Sequence, residues 1–212
     1  LFFFDELVKS DRPILEVIDS DWIYQSNYTG VRTGGGGHKF EPKYADIFDW
    51  RRQRPGGIRE RFYEPPRLIK INSDQRGGLI TTVGILRVTS APERTNPIRR
   101  GVWLLDKVLG RQLHAPENIP ALSQSERVNG KKLADLADIM KAHTSKAICV
   151  SCHQHIDPLG LGLENFDPSG KWRTTYRTRR PVKSDGMFPN GKTFNTPRAM
   201  KGILLSEYRE PI

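Results

Sequence analysis

Apolar positions recur at helical spacing in several stretches of this 212-residue chain, separated by long polar or Gly/Pro-rich runs. Residues 1–9 carry such a pattern and run into Ser10-Asp11-Arg12-Pro13, which predicts the last turns of a helix. A second short helix is expected over 13–21, with Trp22, Ile23 and Tyr24 anchoring it in a core. Thr95-Asn96-Pro97 sets a capping residue before a proline at the first helical position. Ile98, Val102, Leu105, Val108 and Leu109 continue at helical spacing until Gly110, with Trp103 read as core packing. The next predicted helix covers 131–143, with Leu133, Leu136, Ala137 and Met140 on one face, and Thr196-Pro197 opens a last one to Leu205. Residues 67–71 predict a short strand, and the apolar stretch 79–88 fits a buried helix or a strand. Residues 29–66 read as loop, with a tetraglycine at 34–37 and prolines at 42, 55, 65 and 66. The tetraglycine lacks the Gly-Lys-Ser/Thr ending of a phosphate loop, so it reads as a flexible insertion.

The sharpest chemical signal is Cys149-Val150-Ser151-Cys152-His153. On a helix, residues three apart share a face, so two thiols at this spacing can reach neighbouring vinyl groups of one porphyrin. The adjacent His153 then supplies an axial imidazole to the iron. A carbonyl near Pro158 is expected to orient that ring by accepting its other N–H. Chance alone would produce this pentapeptide in a chain of this length on the order of once in a thousand. The reading is therefore one covalently attached haem c with its iron. A Cys₂His₂ zinc site using two of His143, His153 and His155 is the weaker alternative, because no second cysteine pair exists. A thioredoxin-like dithiol expects a preceding strand, whereas the residues before Cys149 look helical.

Composition narrows the setting. Hydrophobic content is 36%, with 19 Gly and 15 Pro, which suits short helices joined by long irregular connections. No apolar run approaches the roughly 20 residues of a membrane-spanning helix. Haem attachment to this motif takes place outside the cytoplasm, so a periplasmic or extracellular location is expected. The opening Leu1-Phe2-Phe3-Phe4 has no initiator Met and no basic leader, which reads as a piece of a longer protein. The formal charge of +10 raises nucleic acid as a partner, but the basic residues are scattered and no nucleic-acid-binding motif accompanies them. An acidic redox partner protein suits that surface better. Arg99 and Arg100 are candidates for haem propionates, with a plain solvated face the commoner role.

Longer stretches add a resemblance. Asp11-Arg12-Pro13 with Ser20-Asp21-Trp22, then Arg76-Gly77-Gly78-Leu79, Ser90-Ala91-Pro92-Glu93-Arg94-Thr95-Asn96-Pro97 and Leu163-Glu164-Asn165-Phe166-Asp167 through Gly170-Lys171-Trp172-Arg173 appear in that order. With the haem motif and Ile156-Asp157-Pro158-Leu159-Gly160, they resemble planctomycete-type cytochrome c domain proteins. These are large secreted multi-module proteins of unknown function. The resemblance implies export, a c-type haem and association with other modules or subunits, but no assigned reaction. The expected fold is mainly α and loop-rich, with a cytochrome c-like haem-binding C-terminal part. The expected divisions are the end of a helical module at 1–30 and a basic Gly/Pro-rich insertion or linker at 31–75. The haem-motif module follows at 76–175, and a small unit closing over the haem at 176–212.

Function then turns on the second axial position. Met187, downstream on a Gly/Pro-bounded loop, is the candidate sulfur ligand. His143, Met200 and an empty position are the alternatives, with Met140 and Met200 read as core. A closed site suits an electron-transfer module. An open one suits a peroxidase-like haem oxidoreductase, and a haem that mainly cross-links the core would make a structural or assembly protein.

Overall fold

The structure is a computed structural model that describes residues 2–25, 67–113, 127–128, 131–132, 136–144 and 147–208. The tetraglycine and the rest of the predicted insertion up to residue 66 lie outside the described residues.

The elements are mostly helical. Helix α1 (Phe2–Lys9) leads to a 3-10 turn (Ile14–Val17), which is all that forms of the helix expected over 13–21. Trp22 does not end a helix. It opens strand β1 (Trp22–Gln25), which pairs antiparallel with β2 (Arg67–Lys70), setting Trp22 opposite Lys70. Trp22 is fully buried and stacks on Phe3 with ring centroids 4.4 Å apart, so α1 and β1 share a small apolar cluster with Leu7. The apolar stretch after Gly78 resolves as helix: a 3-10 turn (Leu79–Thr81), then α2 (Val83–Val88).

Helix α3 (Pro97–Trp103) begins as its sequence predicts. Asn96 accepts a side-chain hydrogen bond from the Arg99 N–H at 3.0 Å, and Pro97 fills the first turn. Beyond Trp103 the chain widens into a π-helical segment (Leu104–Val108), with Trp103 partly buried against the core. The predicted helix over 131–143 is shorter than expected. Arg127–Val128 (β3) pairs with Lys131–Lys132 (β4), and the helix proper is α4 (Leu136–His143). Then come α5 (Ala147–Leu161), a two-stranded hairpin of β5 (Gly186–Met187) and β6 (Thr193–Phe194), and α6 (Pro197–Glu207). Thr196 caps α6 by accepting from the Ala199 N–H at 3.1 Å.

Helices α3 and α5 meet backbone to backbone. A side chain on Gly101 would overlap the Ile156 carbonyl, and one on Gly160 would overlap that of Pro97. Only glycine permits so close a crossing. Around it Leu86, Leu104, Leu105, Ile156, Leu159 and Leu163 form the main core. Met200 and Leu204 of α6 join it from the far end of the chain, and Ile18 joins from the near end.

Candidate functional site

Helix α5 carries the cysteine-histidine motif near its start. Cys149 and Cys152 are both free thiols and both partly exposed. Three residues apart, they lie about 60° from each other around the axis and about 4.5 Å apart along it. His153 lies within about 40° of Cys149, so the two thiols and the imidazole share one flank. Cys152 also packs against the main core, which roots that flank.

The orientation of His153 is set from one turn further on. Its Nδ1 lies 2.8 Å from Oδ1 of Asp157, a pair with 11% and 18% side-chain exposure. A carboxylate only accepts, so Nδ1–H donates and Nε2 keeps its lone pair. The sequence pointed to a main-chain carbonyl near Pro158 for this task; an acidic side chain takes it instead. The spacing was the available signal, since residues four apart on a helix face each other. Burial pushes the Asp157 carboxyl above its usual range, while the hydrogen bond from His153 pulls it back.

His143, the last residue of α4, comes against the same ring. The two imidazole centroids are 5.2 Å apart at an interplanar angle of 72°. His143 is buried, and burial pushes its imidazole below the usual value; His153 adds in the same sense and Asp157 opposes. It is therefore biased towards the neutral form that can act as a ligand.

Met187 is not brought to this cluster. It is 42% exposed on β5, and its neighbour Gly186 abuts the Pro158 carbonyl and the Phe194 ring. Pro158, whose carbonyl meets the hairpin at Gly186, lies about 140° around α5 from His153. His155 is exposed on that far flank as well. Met140 and Met200 are buried, as core residues should be. Among the described residues, no three or more His, Cys, Asp or Glu side chains gather as a metal cage, so the four-ligand zinc arrangement is not assembled.

The donor set fits a c-type haem. Two free thiols stand one turn apart, and beside them a histidine has one nitrogen occupied and the other available.

Behind this flank stands a charged network that sequence reasoning missed. Arg100 is not at the surface; it is fully buried, donating to the carbonyls of Leu163 at 2.7 Å and Phe166 at 2.9 Å, and to Ser90 Oγ at 3.1 Å. Glu164, also fully buried, pairs with Arg100 at 3.4 Å and with Arg173 at 2.9 Å, and accepts from Thr95 at 2.7 Å. Burial lowers the Arg100 guanidinium to about 10, so it stays protonated at neutral pH. The stretch after α5 folds back on itself. Phe166 bridges Trp172, and Arg173 N–H donates to the Asn165 carbonyl at 2.7 Å.

Residues 76–176 match the family model PSCyt3, described as a protein of unknown function (DUF1588). That stretch is similar to PSCyt3. PSCyt3 is a planctomycete-type cytochrome c domain family. Its matched span takes in Cys149, Cys152, His153, Asp157 and the Arg100–Glu164 network; Met187 falls beyond it. No curated protein and no solved structure matches the chain.

Proposed function

We propose that this chain is a c-type cytochrome module that carries one covalent haem and transfers electrons within a larger secreted or periplasmic protein. The observation that carries the reading is the shared flank of Cys149, Cys152 and His153, with Asp157 fixing the ring so that Nε2 is free to bind iron. Thioethers from the two cysteines would hold the group, and its iron would take up and give back one electron. For the other axial position, His143 is better supported than Met187, because its ring already lies against that of His153. A formal charge of +10 favours an acidic protein as the electron donor or acceptor. Among the described residues, no helix is long and apolar enough to cross a membrane.

The peroxidase-like reading draws on one specific observation. A carboxylate behind the axial histidine increases electron donation to the iron, which also suits peroxide chemistry if the second axial position is open.

The test is production of the chain in cells competent for c-type haem attachment. Intact mass is expected to rise by one porphyrin, and the spectrum to be low-spin in both oxidation states. An unmodified mass, or zinc in place of iron, would overturn the haem reading. A high-spin five-coordinate spectrum would move the assignment to the oxidoreductase.

A further inference from the structure

We propose that Asp157 is a positioning residue that sets the electron affinity of the iron bound at His153, by delivering a negative charge to the far side of the imidazole. The inference rests on the haem reading above and goes beyond it to the regulation of that site.

The geometry is specific. The Oδ1–Nδ1 separation is 2.8 Å, and both side chains are mostly covered. A hydrogen bond there is electrostatically stronger than in water and poorly screened. Among the described residues no Lys or Arg forms an ion pair with Asp157, so its charge is directed at His153 and not spent on a neighbouring cation. The segment that carries it is rigid. Ile156, the residue before, and Gly160, three residues after, both lie against the backbone of α3, and Pro158 fixes the intervening dihedral. The backbone at Asp157 therefore cannot shift without disturbing the α3–α5 crossing.

The chemical consequence follows from the acceptor being anionic. A main-chain carbonyl at Nδ1 would orient the ring and raise its donating power less, with no net charge added. A carboxylate also draws the Nδ1 proton towards itself, raises the donating power of Nε2 and adds a negative charge near the metal. Both effects favour the ferric over the ferrous state, so Asp157 holds the reduction potential low.

The experiment uses the haem-loaded chain and three variants, Asp157→Asn, Asp157→Glu and Asp157→Ala, in optical redox titrations beside thermal melts. Asp157→Asn keeps a neutral acceptor at the same place. It is expected to shift the ferrous-to-ferric ratio at a fixed potential about tenfold towards ferrous, which is about 59 mV upward for a one-electron couple. Asp157→Glu should recover part of the wild-type value, and Asp157→Ala should shift at least as far as Asn. A potential that stays put in Asp157→Asn while the melting temperature falls would show a merely structural pair and overturn the proposal. A wild-type chain without porphyrin mass would bring down the haem reading and this inference together, which separates the two failures. One measurement needs no variant. The His153 Nδ1 proton in the ferrous wild-type protein is expected as a strongly deshielded, slowly exchanging NMR resonance, and a rapidly exchanging one would refute the hydrogen bond.

Discussion

Arg100 shows what one residue can do in a chain so poor in apolar side chains. Its guanidinium gathers the carbonyls of Leu163 and Phe166, the Ser90 hydroxyl and the Glu164 carboxylate, and so ties α3 to the turn that ends α5. Removing it leaves an acid and two carbonyls buried with fewer partners, and breaking a buried pair costs about 3–5 kcal/mol. Arg100→Ala is therefore expected to lower the urea unfolding free energy by about that much. Exposed Arg99→Ala, one residue away, should change it by less than about 0.5 kcal/mol. Equal effects of the two would refute the network's role. The cysteine-histidine motif was legible in the sequence because its chemistry is local, five consecutive residues on one helix. Arg100 was not, because the partner that makes its burial tolerable stands 64 positions away. Asp157 falls between: its spacing from His153 was readable, but a choice between side chain and backbone as acceptor needs the fold.

Among the elements, the α3–α5 crossing decides where the candidate site stands. Gly101 and Gly160 bring the two backbones together, and the first turns of α5 then project past the crossing with the thiols and His153 on them. Adding one methyl group at Gly160 would push against the Pro97 carbonyl, and overpacking of this kind costs roughly 1–3 kcal/mol. Gly84, within α2, faces open space, where alanine gains helix propensity of about 0.5–1 kcal/mol. Gly160→Ala should therefore melt lower than wild type and Gly84→Ala higher; two shifts of the same sign would refute the close contact. Helix starts were readable here wherever a capping side chain and a proline coincide, at Asn96-Pro97 and Thr196-Pro197. The start of α4 was not. Lys131 and Lys132 fit a helical pattern, yet they pair antiparallel with Val128 and Arg127.

At the scale of the whole molecule, the two ends of the described chain meet in one core. Met200 and Leu204 pack with Ile18 and Ile80, and the buried Lys201 ammonium donates to Asp19 and to the Arg76 carbonyl at 3.1 Å. The β5–β6 hairpin is pinned to this core by Phe188 and Phe194, with Met187 left exposed. The position of Met187 downstream of the motif was legible, but the flank on which the hairpin docks depends on those two phenylalanines finding the core. Carrying the Met187 sulfur round α5 to His153 requires the hairpin to detach. Exposing two buried Phe side chains opposes that by about 3–6 kcal/mol in all. His143 needs only a small separation of the two rings, since α4 already delivers its ring to within 5.2 Å of His153. On the haem-loaded chain, Met187→Ala is therefore expected to leave the low-spin spectrum and the melting temperature nearly unchanged. His143→Ala is expected to yield a high-spin species that exogenous imidazole converts back to low-spin. The reverse pattern, low-spin character lost with Met187 and kept without His143, would mean that the hairpin leaves the core on haem attachment and that sulfur completes the site.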